Sequence, residues 1–224
     1  MTDIAECPPN PDSKNDPQWL SFSDYLKEND INEINDAALV AYQDGICGKF
    51  LNASELNHCL TLRYFGTSSR YAKLAYDQYG NSEDDWEPQA SLDELDRFFV
   101  EKSYRFTQGS VVYKGVGSEP FYQILDLDKR KKGDVIIFPG FLSTSVCREK
   151  SESFVRGESR LILIIEGLEH VNAIVPLNKC VKNSPTPNIP EQEILLNRGT
   201  SFTVLDKSFN ADEFYEMHLK VNDA

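Results

Sequence analysis

Two glutamates stand one residue apart, Glu191 and Glu193, directly before the apolar run 194–196. Side chains alternate along a strand, so an extended backbone here predicts both carboxylates on one face. Two acids on one face can divide the chemistry: one stabilises developing positive charge while the other moves a proton. The ordinary alternative is a solvated strand end that carries two exposed charges.

Two further stretches carry groups that could meet a ligand. Ser143, Thr144 and Ser145 follow an apolar run, and hydroxyls at a strand end can bond a ligand or a neighbouring carboxylate. They can equally cap a turn or a helix. Lys114 places a cation at the end of a β-rich run, beside Gly115, which would let a ligand approach closely. The alternative for Lys114 is a solvated edge residue.

The first half of the chain has helical periodicity. Apolar residues recur at three-and-four spacing, which predicts helices near 19–26, 30–43, 54–64 and 69–79. Ser91 is predicted to cap a further helix, because Glu94 stands at the capping-box position. The apolar face of this last helix consists of Leu92, Leu95, Phe98 and Phe99.

Strand-like runs replace the helical pattern after residue 102. They are 110–116, 133–146, 160–167, 173–177, 191–206 and 214–221. Within 191–206, the turn Asn197-Arg198-Gly199 predicts a hairpin between two strands. Helices followed by strands indicate an α+β protein, since a parallel βαβ sheet would alternate them.

Composition excludes several classes of protein. The formal net charge of the 224-residue chain is -13, which argues against nucleic-acid binding and against docking on anionic lipid. The five cysteines are odd in number and contain no CxxC, so we expect neither a disulfide framework nor a zinc site. The polar, proline-containing segment 1–16 is expected to be a disordered leader, followed by one domain over 17–224.

Three motifs, taken in order, resemble one known family. They are Tyr113-Lys114-Gly115, Phe141-Leu142-Ser143-Thr144-Ser145 and Glu191-Gln192-Glu193 with its apolar strand and glycine turn. This order resembles the ADP-ribosyltransferase superfamily of the arginine-serine-glutamate type, which includes bacterial toxins and injected effectors. The resemblance covers about 30–221. It implies an N-terminal helical lobe (17–102) packed on a mixed split β-sandwich (108–222), with an NAD cleft between them.

The resemblance implies transfer of ADP-ribose from NAD to a protein side chain, with release of nicotinamide and no need for a metal. Glu193 would stabilise the oxocarbenium-like ribose and hold its 2′-hydroxyl. Ser143 would position Glu193, and Glu191 would deprotonate or orient the incoming nucleophile. A glutamate at position 191 is typical of family members that modify arginine, and serine and threonine acceptors are known among relatives.

The same resemblance implies a set of NAD-binding residues. Phe154 would stack on nicotinamide, and Arg148 or Arg156 would meet the pyrophosphate. The segment 178–190 corresponds to the family's substrate-recognition loop. The complete predicted NAD-binding set is Lys114, Gly115, Thr144, Ser145, Phe154 and Arg156.

Lys114 departs from the family pattern, which has arginine there. Arginine offers a planar, bidentate fork, whereas lysine is a point charge. Three explanations stay open: Lys114 suffices as a counter-charge, Arg105 or Arg160 supplies the fork, or the chain has lost NAD chemistry and kept the fold. The last would make it a binding module without catalysis. An NAD glycohydrolase that passes ADP-ribose to water is a further alternative, and the polymer-forming branch is disfavoured because Lys114 stands where that branch has histidine.

The expected partner is a host protein with a basic surface, because opposite fields speed encounter with an acidic chain. Neither nucleic acid nor a membrane is expected as a partner, and the chain is expected to be a monomer. The first residues lack the basic region and the apolar region of a cleaved signal peptide, so none is expected. Together with the family resemblance, this predicts an effector that a specialised secretion system delivers into the host cytoplasm. A phage enzyme or a cytoplasmic bacterial enzyme is the alternative.

Overall fold

The computed structural model describes residues 88–116, 125–155, 160–176, 192–209 and 215–223, with side chains from residue 92 onward. The expected leader (1–16) and the helices predicted before residue 80 lie outside these ranges. Most of the predicted helical lobe therefore stays a prediction. None of the helices within the described ranges has the length and apolar character that a membrane crossing requires.

Helix α1 (Pro88–Glu101) is the part of the predicted lobe that is described. It begins at Pro88, whose fixed φ and missing N–H suit a first helical turn. The prediction that Ser91 caps this helix is wrong, because Ser91 lies inside it. The predicted apolar face is confirmed, since its four residues are at most 4% exposed: Leu92, Leu95, Phe98 and Phe99.

The strands of the described residues form one sheet. They are β1 (Val112–Gly115), β2 (Val135–Phe138), β3 (Leu142–Ser145), β4 (Leu161–Glu166), β5 (Ala173–Ile174), β6 (Glu193–Leu196), β7 (Thr200–Phe209) and β8 (Tyr215–Val221). A second helix, α2 (Arg148–Glu152), follows β3, and single 3-10 turns lie at Leu127–Lys129 and Leu168–His170. The predicted strand runs are thereby confirmed, whereas α2 was not predicted.

The sheet order is β2-β7-β8-β4-β1-β3-β6-β5. Strands β4 and β8 pair in parallel, and the other pairs are antiparallel, so the predicted mixed sheet is confirmed. β1 and β3 share one residue pair, Tyr113 with Ser145. This narrow junction divides the sheet into a group of five strands and a group of three.

The hairpin predicted at Asn197-Arg198-Gly199 is wrong. β6 pairs with β3 and β5, whereas β7 pairs with β2 and β8. A turn does form there, with φ of 77° at Gly199, but it carries the chain from the three-stranded group to the other end of the sheet. The N–H of Gly199 donates to the carbonyl of Phe138, which secures the crossing at 2.9 Å.

An ion pair ties α1 to the same crossing. Arg198 donates from Nε and Nη2 to the two carboxylate oxygens of Asp96 at 2.9 and 2.5 Å. Its guanidinium also lies 5.9 Å from the ring centroid of Phe141, just before β3. A bidentate pair fixes direction as well as distance. Helix α1 is thus held against the turns that lead out of β6 and into β3.

Cys147, between β3 and α2, is 2% exposed and takes part in a disulfide bond. No disulfide framework was expected, and this single bond was not foreseen. The partner lies outside the described residues, which contain no other cysteine. Neither the odd number of cysteines nor the absence of CxxC could reveal this bond. A disulfide requires two cysteines that are close in space, and they can be far apart in sequence.

Candidate active site

The centre of the candidate site is a bond between two neighbouring strands. Antiparallel pairing of β3 with β6 sets Ser145 opposite Glu193 and Ser143 opposite Leu195. Ser143 and Glu193 therefore share a face as diagonal neighbours. The hydroxyl Oγ of Ser143 donates to Oε1 of Glu193 at 2.6 Å, although the residues are fifty positions apart. Glu193 is 5% exposed, so a buried carboxylate is held in a fixed orientation.

The two other hydroxyls of the motif are engaged in building this pair of strands. Thr144 donates from Oγ1 to the carbonyl of Ile194 at 2.6 Å, which adds a side-chain bond to the β3–β6 ladder. Ser145 accepts at Oγ from the N–H of Cys147 at 3.0 Å, in the turn that leads to α2. Both hydroxyls are buried. Thr144 and Ser145 therefore stabilise local structure, which was the alternative interpretation of the motif. Ser143 is the member of the motif that binds a carboxylate.

The backbone between the two glutamates is not extended. Strand β6 begins at Glu193, and Gln192 has φ of 51°, in the left-handed region. The strand alternation that predicted both carboxylates on one face therefore fails at Gln192, because alternation requires an extended residue there. Glu191 lies outside the described residues. Gln192 is 1% exposed, and its carbonyl accepts from the N–H of Val146 at 3.3 Å.

Helix α2 packs directly on β1. The hydroxyl of Ser151 donates to the carbonyl of Tyr113 at 3.0 Å. A Cβ built on Gly115 would lie 1.9 Å from the carbonyl oxygen of Ser151. The backbone of α2 is therefore the neighbour that requires a glycine at position 115, and the approach of a ligand to Gly115 stays a prediction. Ser151 was not singled out from the sequence, since a five-residue helix gives no periodic signal.

A family model described as ADP-ribosyltransferase exoenzyme matches residues 72–221, which is more than half of the chain. The chain belongs to the ADP-ribosyltransferase exoenzyme family. The resemblance drawn from the three motifs is confirmed at this level. No curated protein matches the chain.

Solved structures of bacterial ADP-ribosyltransferases are similar at low identity. Vis toxin from Vibrio splendidus is 15% identical with a TM-score of 0.48, over 91% of this chain and 82% of the toxin. Exoenzyme S from Pseudomonas aeruginosa, solved with human 14-3-3 protein beta and Carba-NAD, is 18% identical with a TM-score of 0.45, over 89% and 86%. C3stau2 from S. aureus, solved with NAD, is 14% identical with a TM-score of 0.43, over 86% and 99%.

Lys114, the departure from the family's arginine, is half-buried on β1, next to the junction pair of Tyr113 with Ser145. It stands opposite Leu163 of β4. Successive strand residues point to opposite faces, so the side chain of Lys114 leaves β1 on the side away from Tyr113. Tyr113, Ser145 and Glu193 lie side by side on β1, β3 and β6. Lys114 follows Tyr113, and its side chain lies on the opposite face of β1.

Phe154 follows α2 and is 39% exposed, as a ring that receives a ligand must be. The ammonium of Lys150, a residue only 6% exposed, lies 5.5 Å from the centroid of this ring. Lys150 is a buried cation beside the predicted nicotinamide-stacking residue, and no pattern in the sequence singles it out. Arg156 lies outside the described residues.

Arg148 was one of two arginines predicted to meet the pyrophosphate. It is engaged within the fold: Nε donates to Glu152 at 2.9 Å, and Nη2 donates to Glu216 of β8. Burial lowers the pKa of Arg148, but the hydrogen bonds and charges of these two carboxylates outweigh it and raise the pKa above its usual value. Arg148 therefore joins α2 to β8, and its contact with the pyrophosphate stays a prediction.

The two arginines considered as replacements for the fork lie at other places. Arg105 is exposed beside β5, where its Nε donates to Asn172 at 3.4 Å. Arg160 is exposed directly before β4, with φ of 36°.

Within the described ranges, no group of three or more His, Cys, Asp or Glu side chains could hold a metal ion.

Proposed function

We propose that this family member is a mono-ADP-ribosyltransferase that moves ADP-ribose from NAD to a side chain of a host protein. The observation that carries the proposal is the 2.6 Å bond from Ser143 to Glu193. It joins two of the three family motifs and orients a buried carboxylate on the face that also carries Tyr113 and Ser145.

The reaction explains why a fixed, buried carboxylate is useful. The bond between the ribose C1′ and nicotinamide breaks, and its electron pair leaves with nicotinamide. Positive charge develops on the ribose, and Glu193 stabilises it most strongly where water is excluded. Glu193 is 5% exposed, and the donor on Ser143 prevents the carboxylate from turning away. Pre-orientation of this kind lowers the reorganisation needed at the moment of bond cleavage.

The acceptor side of the reaction is assigned to Glu191 and the segment 178–190. The acceptor nitrogen forms a bond to C1′, and its proton passes to Glu191. Arginine is the favoured acceptor, with serine or threonine as alternatives. The host protein is proposed to present a basic surface, because the chain carries a net charge of -13. We further propose secretion of the enzyme into the host-cell cytoplasm, which its membership of an exoenzyme family supports.

NAD is proposed to bind along α2 and the junction of β1 with β3. Phe154 would stack on nicotinamide, with Lys150 near the same ring. Arg156 would supply positive charge to the pyrophosphate. Lys114 stays a proposed counter-charge, although the strand register places it on the face of β1 opposite Glu193. Thr144, Ser145 and Gly115 would act through their structural contacts, because their hydroxyls and the glycine's free space are already used within the fold.

The test is a reaction of labelled NAD with a eukaryotic cell lysate, comparing three proteins. These are the natural chain, Glu193→Gln, which keeps the shape of the side chain, and Glu166→Gln, which removes an exposed carboxylate at the end of β4. We expect a labelled protein band from the natural chain and from Glu166→Gln, and none from Glu193→Gln. Mass spectrometry of the band identifies the acceptor residue.

Two other outcomes separate the alternatives. Nicotinamide release without any labelled protein, lost in Glu193→Gln, would identify an NAD glycohydrolase. The absence of both label and nicotinamide release would overturn the enzymatic proposal and favour a binding module, for which Lys114 in place of arginine is the supporting feature. Equal melting temperatures of the three proteins are the control that the variants fold.

A further inference from the structure

Strand β2 is an edge strand with an unusual exposed face. It stands first in the sheet order and has β7 as its one neighbour among the described strands. Ile136 and Phe138 are buried at 3% and 4% exposure, whereas Val135 and Ile137 are 56% and 60% exposed. Natural edge strands are commonly protected by lysine or proline within the strand. The outward positions of β2 carry two aliphatic side chains instead.

The backbone of β2 shows which groups face the open side. The N–H of Val204 donates to the carbonyl of Asp134, and the N–H of Gly199 donates to that of Phe138, both at 2.9 Å. The carbonyls of Asp134 and Phe138 thus point towards the β7 side of the strand. In an antiparallel ladder, alternate residues direct these groups to opposite sides. The N–H and C=O of Val135 and Ile137 therefore point away from β7.

A run of four cations precedes this edge: Lys129, Arg130, Lys131 and Lys132. Asp126, Asp128 and Asp134 flank the run, and Lys129 pairs with Asp126 at 3.0 Å, so Lys131 and Lys132 carry the local excess of positive charge in a chain whose net charge is -13. Lys129, Lys131 and Lys132 are exposed. The three exposed lysines and the two exposed aliphatic residues, Val135 and Ile137, are together named the basic edge.

The fold holds the basic edge in place. Arg130 donates from Nε to the carbonyl of Leu125 at 2.8 Å, and the N–H of Lys131 donates to the carboxylate of Asp134 at 3.0 Å. Lys207 of β7 donates from Nζ to the carbonyl of Asp128 at 2.9 Å, which brings a fifth cation to the same side. The Debye length is about 8 Å in physiological salt, so a partner at this edge responds mainly to the charges near β2. There the five cations outnumber the three nearby carboxylates of Asp126, Asp128 and Asp134.

We propose that the basic edge binds an extended, acidic segment of a partner protein by strand addition. The outward backbone groups of Val135 and Ile137 would pair with the partner's backbone, while their side chains contact alternate aliphatic residues. Carboxylates of the partner would meet Lys131 and Lys132. The proposal rests on β2 and its flanking residues, and it stands whether or not the chain transfers ADP-ribose.

The test uses the full chain, labelled with 15N, and a short capped peptide of alternating valine and glutamate. Amide shifts are followed by NMR as the peptide is added. We expect saturable shifts at Val135 and Ile137. Val135→Pro, which removes an outward N–H, should weaken binding about fivefold, as expected for one lost hydrogen bond. Val135→Thr, which keeps that N–H, should still show the shift at Ile137.

Charge is tested with a matched pair of variants. Lys132→Glu should weaken peptide binding about threefold or more, because it replaces an attraction by a repulsion. Arg105→Glu makes the same change of charge beside β5, at the opposite edge of the sheet, and should leave binding unchanged. A peptide with lysine in place of glutamate should not bind.

Several results would overturn the proposal. One is the absence of saturable shifts at β2 in the natural chain. Another is equal binding of the lysine peptide, which would remove the role of charge. Shifts of the same amides with chain concentration alone would assign the edge to a second copy of the chain. Binding of phosphatidylserine vesicles through these residues, without binding of the peptide, would assign it to lipid.

Discussion

At the scale of single residues, the site depends on one hydroxyl that fixes one carboxylate. Ser143 donates to Glu193 across β3 and β6, and its own position is set by pairing with Leu195. The hydrogen bond can act on the reaction only by holding Glu193, because a serine hydroxyl supplies no charge. Ser143 is therefore a positioning residue in the proposed mechanism.

Ser143→Ala tests this role. We expect kcat for nicotinamide release to fall about 100-fold, since a loosened catalytic group costs this much in well-oriented sites, with little change in KM for NAD. Ser143→Thr keeps a hydroxyl and a side chain suited to a strand, and should retain most of the activity. A rise in KM with unchanged kcat would show that Ser143 binds NAD and does not position Glu193.

Gln192 carries backbone strain next to Glu193. Its φ of 51° belongs to a region that asparagine tolerates and β-branched residues avoid. We expect Gln192→Val to lower the free energy of unfolding by about 1–2 kcal/mol more than Gln192→Asn, although both shorten the side chain. Urea denaturation measures the difference. Equal losses from both variants would indicate that contacts of the buried side chain decide stability here, and not the backbone conformation.

At the scale of elements, α2 and β1 must approach more closely than any side chain allows. Gly115→Ala would place a Cβ 1.9 Å from the carbonyl oxygen of Ser151. Because that oxygen is backbone, it moves only if α2 moves, so we expect a loss of more than about 2 kcal/mol in the free energy of unfolding. The displaced α2 would also carry Phe154 away from its place, and KM for NAD should rise.

The control for this substitution is Gly109→Ala. A Cβ at Gly109 meets nothing within 4 Å, but its φ of 91° makes alanine unfavourable. Its expected loss is about 1 kcal/mol and comes from the backbone alone. If thermal or urea unfolding gave equal losses for both variants, the contact with Ser151 would not be the reason for glycine at position 115.

The sequence predicted the strands better than their arrangement. Apolar runs such as 161–166 have enough β-branched residues to indicate a strand on their own. The turn at 197–199 was recognised, but a turn signal says nothing about which strands pair, and β7 pairs with β2 and β8. Ser91 matched a capping pattern, yet Pro88 begins the helix earlier. Partner choice depends on contacts distant in sequence, which periodicity does not report.

At the scale of the whole molecule, the centre of the proposed site was predicted from the order of three motifs and not from the spacing between them. Ser143 and Glu193 are separated by fifty residues, and only the sheet order makes them neighbours. The close contact of Gly115 with α2 was not predicted, because a helix of five residues has no signal in the sequence. The bond from Arg148 to Glu216 of β8 was not predicted either, since the two residues are distant in sequence.

The net charge of -13 leads to a prediction about the acceptor. If the host protein presents a basic surface, encounter is accelerated by opposite fields, and this acceleration is screened by salt. We expect kcat/KM for a basic acceptor protein to fall about tenfold between low salt and several hundred millimolar salt. NAD hydrolysis without an acceptor is the control and should change much less, because it requires no encounter between proteins. A salt-independent transfer rate would contradict the proposed basic surface of the host protein.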